Sequence, residues 1–165
     1  MLNEIKDYLP IFNAILITDL FVILLINMKI IDSVVLKEWY SKYNLSAVIA
    51  DVLIIFIVLI LTSYIYNYFF SSFSIIKFIC LALIIQIIHD ILFYILITNI
   101  PRGMNKMIDT FKDYANETSY RAIIGDSCMI IMSCLIAYYL IINSTETNIN
   151  ISIVFLYLTP YLIYN

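Results

Sequence analysis

Residues 47–70 read AVIADVLIIFIVLILTSYIYNYFF and contain a single charged side chain, that of Asp51. A helix of this length extends roughly 36 Å at about 1.5 Å per residue, which is enough to cross the roughly 30 Å hydrocarbon core of a bilayer. A backbone in lipid must satisfy its hydrogen bonds within the segment, because no water is available there. The stretch Ala47–Phe70 therefore predicts a transmembrane α-helix.

Similar apolar runs recur along the rest of the chain. Three of them have a comparable length and character: Leu9–Met28, Ile75–Ile100 and Ala122–Ile142. A fifth run, Ile149–Tyr164, is shorter, begins with polar residues and contains Pro160, and we expect it to cross the membrane as well. These runs predict an all-α transmembrane bundle that forms one integral membrane domain over residues 1–165.

The overall composition agrees with this fold class. Of the 165 residues, 64% are hydrophobic and only 13% are charged, with a mean hydropathy of +1.00. Soluble domains are typically about half apolar and about a quarter charged, so the composition excludes a soluble enzyme or binding domain. The cysteines lie in apolar runs without C-x-x-C spacing, and we expect neither a disulfide nor a zinc site from Cys80, Cys128 and Cys134.

The basic residues predict how the chain is oriented. Seven of the nine lie in the loops after the first and third runs: Lys29, Lys37, Lys42, Arg102, Lys106, Lys112 and Arg121. Because positively charged loops stay in the cytoplasm, we expect the N-terminus outside and, with five crossings, the C-terminus in the cytoplasm. The sequon at Asn143 then lies outside.

Both basic loops carry apolar residues at helical spacing. Met107, Ile108 and Phe111 recur opposite charged residues, which predicts a short amphipathic helix on the cytoplasmic interface. In the other loop we expect Trp39 and Tyr40 to anchor a similar helix at the interface. Such helices either cover the ends of the bundle or form a docking surface for a partner, and the pattern leaves both interpretations open.

The two halves of the chain resemble each other. Asp90 follows Asp19 by 71 residues, and Asp126 follows Asp51 by 75 residues. The pattern predicts two repeated hairpins related by an axis along the membrane normal, with the C-terminal span outside the repeat. The predicted ranges are 9–70 for repeat 1, 75–142 for repeat 2 and 149–164 for the C-terminal span.

The repeat places one aspartate in each of the first four helices, all at a similar depth below the cytoplasmic surface: Asp19, Asp51, Asp90 and Asp126. A charged Asp at mid-bilayer costs about 2.5–3.5 kcal/mol on insertion scales, and no Lys or Arg lies deep in any run. The four carboxyls therefore cannot all stay ionised. Either they share protons, or a cation lies between them.

Further polar side chains lie near this layer. His89 is next to Asp90, and Gln86 precedes both by about one turn on the same face. Thr62 and Ser133 continue a polar path outward from the aspartates of their own helices. The leading hypothesis is a site that binds or conducts protons or a cation, formed by the four aspartates with His89 and Gln86. No other cofactor is expected.

Three segments carry a resemblance to a known group of proteins. They are Leu45–Leu53, Ile88–Tyr94, and Ile100–Gly103 followed by Asp109–Ala115, and His89-Asp90 and Pro101-Arg102-Gly103 are the most specific parts. The chain resembles uncharacterised multi-pass membrane proteins of large DNA viruses of algae and protists over most of its length, excluding the last span. The resemblance implies a viral origin and a location in a host membrane or an internal membrane of the virion. It implies no activity.

Two functions of other classes compete with the ion or proton hypothesis. A structural or scaffolding protein of a virion or virus-modified membrane would use the aspartates only to hold helices together. A metal-dependent enzyme acting on lipid headgroups fits the position of the carboxylates near the cytoplasmic leaflet. The sequence has no basic face of the size that nucleic-acid binding needs, and a homo-oligomer in the lipid bilayer is compatible with both main interpretations.

Overall fold

Seven α-helices follow a short 3-10 turn, Ile5–Asp7, in the computed structural model, which describes residues 5–164. The helices are α1 (Tyr8–Asn27), α2 (Val34–Tyr43), α3 (Leu45–Phe69), α4 (Ile75–Asn99), α5 (Lys106–Thr118), α6 (Tyr120–Leu140) and α7 (Thr145–Ile163). Within residues 5–164 the chain forms no β-strand. The prediction of an all-helical protein is confirmed.

Four helices are long and apolar enough to cross a membrane, judged by length and composition. They are Ile5–Asn27, which joins the 3-10 turn to α1, and α3, α4 and α6. These four correspond to the first four apolar runs of the sequence. The helix α7, which matches the fifth run, does not belong to this set of four, so its crossing remains a prediction.

The helix α1 forms the centre of the bundle. It packs against α3, α6 and α7, and 61% of its most apolar window is buried, against 11% for α4. Ile11 and Ile15 of α1 are fully enclosed, whereas Ile88 and Leu92 of α4 are more than half exposed. In a membrane, the outward side of α4 is therefore available to lipid or to another chain, while α1 contacts protein on most sides.

The short helices α2 and α5 lie antiparallel to each other. The Glu117 carboxylate near the end of α5 accepts hydrogen bonds from the backbone N–H groups of Val34 and Val35, at 3.0 and 2.9 Å. At the other end of the pair, the Tyr43 hydroxyl donates to the Lys106 carbonyl over 2.7 Å. Between these contacts, the rings of Trp39 and Phe111 pack with centroids 4.5 Å apart. The aromatic side chains of the two helices are thus used to pack them together.

A single residue joins each short helix to the long helix that follows. Asn44 separates α2 from α3 with φ 49° and ψ −124°, and Ser119 separates α5 from α6 with φ 51° and ψ −130°. Positive φ is uncommon for residues other than glycine. The same unusual backbone conformation thus occurs at two positions 75 residues apart, the same offset that separates Asp51 from Asp126.

The helix α7 lies parallel to α1. Asn13 donates to the Asn148 carbonyl at 2.8 Å and accepts from the Ser152 hydroxyl at 2.6 Å. Near the other end of both helices, Asn27 donates to the Leu162 carbonyl at 2.9 Å. The pairs Asn13–Asn148 and Asn27–Leu162 are both separated by 135 residues along the chain, so α7 follows α1 in parallel over most of its length. It begins earlier than the apolar run does, because the hydroxyl of its N-cap residue accepts a hydrogen bond from the Thr147 backbone.

Candidate functional site

The four predicted aspartates are distributed over four helices of the bundle. Asp19 lies on α1 and is fully buried, and Asp90 lies on α4 with its side chain 15% exposed. Asp51 and Asp126 are each the seventh residue of their helices, α3 and α6. Electrostatic interactions link Asp19 to Asp51, Asp51 to Asp126 and Asp126 to Asp90. Each of the four carboxyls is thus within electrostatic range of at least one of the others.

Two side chains of α2 bind the first pair of carboxyls. The Tyr40 hydroxyl donates to Asp19 Oδ1 at 2.9 Å and also interacts with the Asp51 carboxyl. The Trp39 indole N–H donates to Asp51 Oδ2 at 2.9 Å. Trp39 and Tyr40 are only 4% and 7% exposed. They therefore point into the protein. The prediction that they anchor α2 at the lipid interface is wrong.

The sequence contains a signal for these contacts. A buried Trp N–H or Tyr O–H needs a hydrogen-bond acceptor. Trp39 and Tyr40 are adjacent and lie between two helices that each carry one aspartate. Asp19 and Asp51 are the charged acceptors in the two neighbouring apolar runs. The need for an acceptor therefore favours an inward orientation of both rings.

Tyr40 keeps its proton at neutral pH. Burial of its side chain is the largest influence, followed by the neighbouring carboxyls of Asp19 and Asp51, and together they raise the pKa of Tyr40 well above its ordinary value. The hydroxyl therefore remains a donor, and it connects two carboxyl groups that belong to different long helices.

The predicted neighbours of Asp90 do lie around it. Gln86 Nε2 donates to Asp90 Oδ1 at 2.7 Å, and His89 Nδ1 lies 3.2 Å from the same oxygen. The His89 ring stacks on Phe93 with centroids 5.8 Å apart. Gln86 and His89 thus both contact the same oxygen of Asp90, and the spacing of these residues predicts that they lie close together.

Several buried oxygens of the cluster have no hydrogen-bond partner within residues 5–164. They are Asp19 Oδ2, Asp90 Oδ2 and Gln86 Oε1. A buried polar atom left without a partner costs roughly 1–3 kcal/mol. Such atoms mark a place where a proton, a water or an ion would supply the missing interaction.

Tyr114 of α5 accompanies the second pair of carboxyls. It precedes Asp126 by 12 residues, as Trp39 precedes Asp51. Burial raises the pKa of Tyr114 to about 12, with further contributions from the carboxyls of Asp126 and Asp51. The side chain of Tyr114 therefore stays neutral and lies near Asp51 and Asp126, which are in the second turns of α3 and α6.

The two residues of the predicted polar path behave differently. The Ser133 hydroxyl of α6 donates to the Thr18 hydroxyl of α1 at 3.2 Å, one residue away from Asp19. The Thr62 hydroxyl donates to the Val58 carbonyl of its own helix at 2.7 Å. Both side chains are fully buried. Ser133 thus joins the neighbourhood of Asp19, while Thr62 satisfies its hydrogen bond within α3.

Among residues 5–164, the groups that act on the Asp19, Asp51 and Asp126 carboxyls include no Lys or Arg. Asp19, Asp51 and Asp126 interact with tyrosine, tryptophan, histidine and other aspartates. Among residues 5–164, no group of three or more His, Cys, Asp or Glu side chains is arranged to hold a metal ion. The side chains of the cluster carry carboxyls, a hydroxyl, an amide, an indole and an imidazole.

Comparison with known proteins adds no family to this geometry. No protein-family model, curated protein or solved structure matches the chain. The resemblance to viral membrane proteins remains a prediction from the sequence, and the function has to be argued from the site.

Proposed function

We propose that this chain is an integral membrane protein that binds protons at its aspartate cluster and transfers them between the four carboxyls. The observation that carries the proposal is the environment of Asp19. Its side chain is fully buried on the central helix, Tyr40 binds one of its oxygens, and its other oxygen has no partner within the described residues.

An ionised Asp19 next to an ionised Asp51 is energetically unfavourable. Two neighbouring like charges repel strongly in a medium of low dielectric constant, and burial also penalises each charge separately. Paired carboxyls in such surroundings share a proton and titrate as a unit. A proton on this pair would remove one charge from the buried site.

The connected series of groups supports transfer as well as binding. Tyr40 links Asp19 to Asp51 by its hydroxyl, and electrostatic contacts continue to Asp126 and Asp90. His89 Nδ1 lies 3.2 Å from the last of these carboxyls. Residues of this kind inside membrane bundles typically belong to proton relays.

We also propose that the chain crosses the membrane five times, in two repeated units and one C-terminal span. The order of a long helix, a short helix, one residue of positive φ and a second long helix occurs twice, at α1–α3 and α4–α6. The parallel packing of α7 on α1 is the geometry expected if both cross the membrane in the same direction. In this arrangement the C-terminal span covers the central helix and lies outside the repeat.

Proton transfer is tested in proteoliposomes that contain a pH-sensitive dye. A potassium diffusion potential drives flux through the wild type, Asp51→Asn and Asp126→Asn at matched reconstitution. We expect proton flux in the wild type and a reduction of at least about tenfold in both variants, since one relay group typically contributes that much or more. Asp32→Asn is the matched control, because Asp32 is exposed in the loop after α1 and its replacement should leave the flux unchanged.

Two outcomes would refute the proposal. Flux no greater than in empty liposomes would remove proton transfer, and unchanged flux in both variants would remove the carboxyls from the path. Repeating the assay with sodium and potassium indicators distinguishes a bound cation from a proton. A separate infrared measurement tests binding, since a protonated Asp19 carboxyl gives a C=O band that disappears in Asp19→Asn.

A further inference from the structure

A cavity of about 210 Å³ lies where α4 meets α5, outside the aspartate cluster. The last turns of α4 contribute Tyr94, Ile97 and Thr98, and α5 contributes Lys112 and Asn116. Pockets for drug-sized ligands usually measure roughly 300–1,000 Å³. This cavity is smaller, so it suits a compact polar group better than a whole organic cofactor.

The lining of the cavity carries two positive charges and no acidic residue. Arg102, from the loop between α4 and α5, and Lys112 supply the charges. Arg102 donates from one nitrogen to Asp113 at 2.6 Å, and Lys112 donates to the Ile100 carbonyl. A guanidinium has five N–H groups and an ammonium has three, so both side chains keep donors for a further acceptor. Asp113 and Asp109 are outside the lining, and both interact with Arg102 and offset its charge in part.

The loop that carries Arg102 is held in place by its own hydrogen bonds. Gly103 has φ 88°, a conformation that a residue with a side chain rarely adopts, and its N–H donates to Asp109 at 2.9 Å. The position of Arg102 relative to α5 is therefore set by the fold. A preformed pair of cations binds an anion with less loss of side-chain freedom than two mobile ones would.

An apolar stripe on α4 leads from the cavity toward the membrane. Ile91, Tyr94, Ile95 and Thr98 are spaced as i, i+3, i+4 and i+7, so they share one face of the helix. All four are exposed, and Ile91 and Ile95 are each about half accessible. This stripe offers a surface for an acyl chain directly below the cationic cavity.

We propose that the cavity binds the phosphate of an anionic phospholipid through Arg102 and Lys112, with an acyl chain along the Ile91–Thr98 face of α4. The cavity provides positive charge and unused donors, which free phosphate would also recognise. The adjoining apolar stripe favours the lipid as the source. The inference does not depend on the proton proposal, because no residue of the aspartate cluster takes part in it.

The test measures lipid binding to the purified protein in detergent by native mass spectrometry. The probes are phosphatidylglycerol and phosphatidylcholine with identical acyl chains. Each cation near a membrane surface contributes about fivefold to the binding of an anionic lipid, so two predict a preference of about twenty-five-fold for phosphatidylglycerol. We expect Arg102→Gln/Lys112→Gln to abolish the preference. Lys106→Gln removes a charge from the same helix outside the cavity and should keep it.

A second variant guards against a change in the fold, because Lys112 also contacts the loop. Asn116→Asp leaves both cations and their hydrogen bonds in place and adds a negative charge to the lining. It should weaken phosphatidylglycerol about fivefold and leave phosphatidylcholine unchanged. Equal affinities of the two lipids for the wild type, or a preference that survives both variants, would overturn the proposal. Displacement of phosphatidylglycerol by inorganic phosphate at equal concentration would assign the site to a soluble anion instead.

Discussion

Replacing Tyr40 with phenylalanine removes one oxygen atom and keeps the ring, so it isolates the hydrogen bond between α2 and the aspartates. Within residues 5–164, Tyr40 is the hydrogen-bond partner of Asp19, whose second oxygen has none. The variant leaves both oxygens of a fully buried carboxyl without a donor. The cost of a buried unsatisfied group is about 1–3 kcal/mol, and hydrogen bonds between membrane helices average about 0.6 kcal/mol. We expect Tyr40→Phe to lower the free energy of unfolding by about 2 kcal/mol.

The measurement is equilibrium unfolding in mixed detergent micelles, followed by tryptophan fluorescence. Trp39 is the single tryptophan of the chain and lies next to Tyr40, so its emission reports on this site directly. Tyr68→Phe is the matched control, because Tyr68 is 90% exposed and deletion of its hydroxyl should change stability by less than about 0.5 kcal/mol.

A double-mutant cycle separates the hydrogen bond from other effects of the substitution. Combining Tyr40→Phe with Asp19→Asn should show a coupling of at least about 1 kcal/mol between the two positions. If Tyr40→Phe costs no more than Tyr68→Phe, or if the coupling vanishes, then Tyr40 does not stabilise Asp19 in the membrane protein and the bridge between the carboxyls is refuted.

Two further predictions concern contacts outside the aspartate cluster. Asn13→Ala removes the bonds from α1 to Asn148 and Ser152, and it should destabilise the packing of α7 by about 1–2 kcal/mol, seen as faster proteolysis of the C-terminal helix. Hydrogen bonding to Arg102 lowers the pKa of Asp113, so this ion pair stabilises the fold above the ordinary Asp value of about 3.9 and is lost as pH falls through the lowered value. The stability difference between the wild type and Asp113→Asn at pH 7 should therefore disappear in acid below that value, and a constant difference would contradict the assignment.

The positions of the long helices could be predicted from the sequence because long apolar runs leave few alternatives. The run Ile75–Ile100 corresponds to α4, Ile75–Asn99. The apolar run predicts that α3 begins at Ala47, two residues after its actual first residue, Leu45. That error has a backbone cause, since the positive φ of Asn44 allows the chain to pass from one helix directly into the next.

The amphipathic pattern of α2 and α5 does not by itself predict the direction in which their apolar faces turn. An amphipathic pattern says which side of a helix avoids water, and both lipid and protein satisfy that side equally well. Here the rings of Trp39 and Phe111 pack on each other, and the polar edge of Trp39 reaches Asp51. The amphipathic pattern does not distinguish lipid from protein as the partner of an apolar face, whereas the arrangement of the long helices does.

The polar residues of the last run were a second source of difficulty. Asn148 and Ser152 lower the hydropathy of α7 and weaken the case for a crossing when the run is considered alone. In the structure the Ser152 hydroxyl donates to Asn13 Oδ1 of α1, and the Asn148 side-chain amide donates to the Leu140 and Ser144 carbonyls. Hydrogen bonds to specific neighbouring groups thus offset the polarity of the Ser152 hydroxyl and the Asn148 amide N–H groups, and a hydropathy average cannot detect such compensation.

The two halves of the chain surround equivalent aspartates with different groups. In the first half, Trp39 donates a hydrogen bond to Asp51, and Tyr40 adds a second contact to the same carboxyl. In the second half, Tyr114 takes the place of Trp39 and acts on Asp126 electrostatically. When a carboxyl accepts hydrogen bonds from fixed donors, gaining a proton weakens those bonds. A carboxyl without such donors gains a proton without that cost. If protons pass through this protein, the asymmetry makes Asp126 the readier point of exchange and Asp51 the more tightly controlled one.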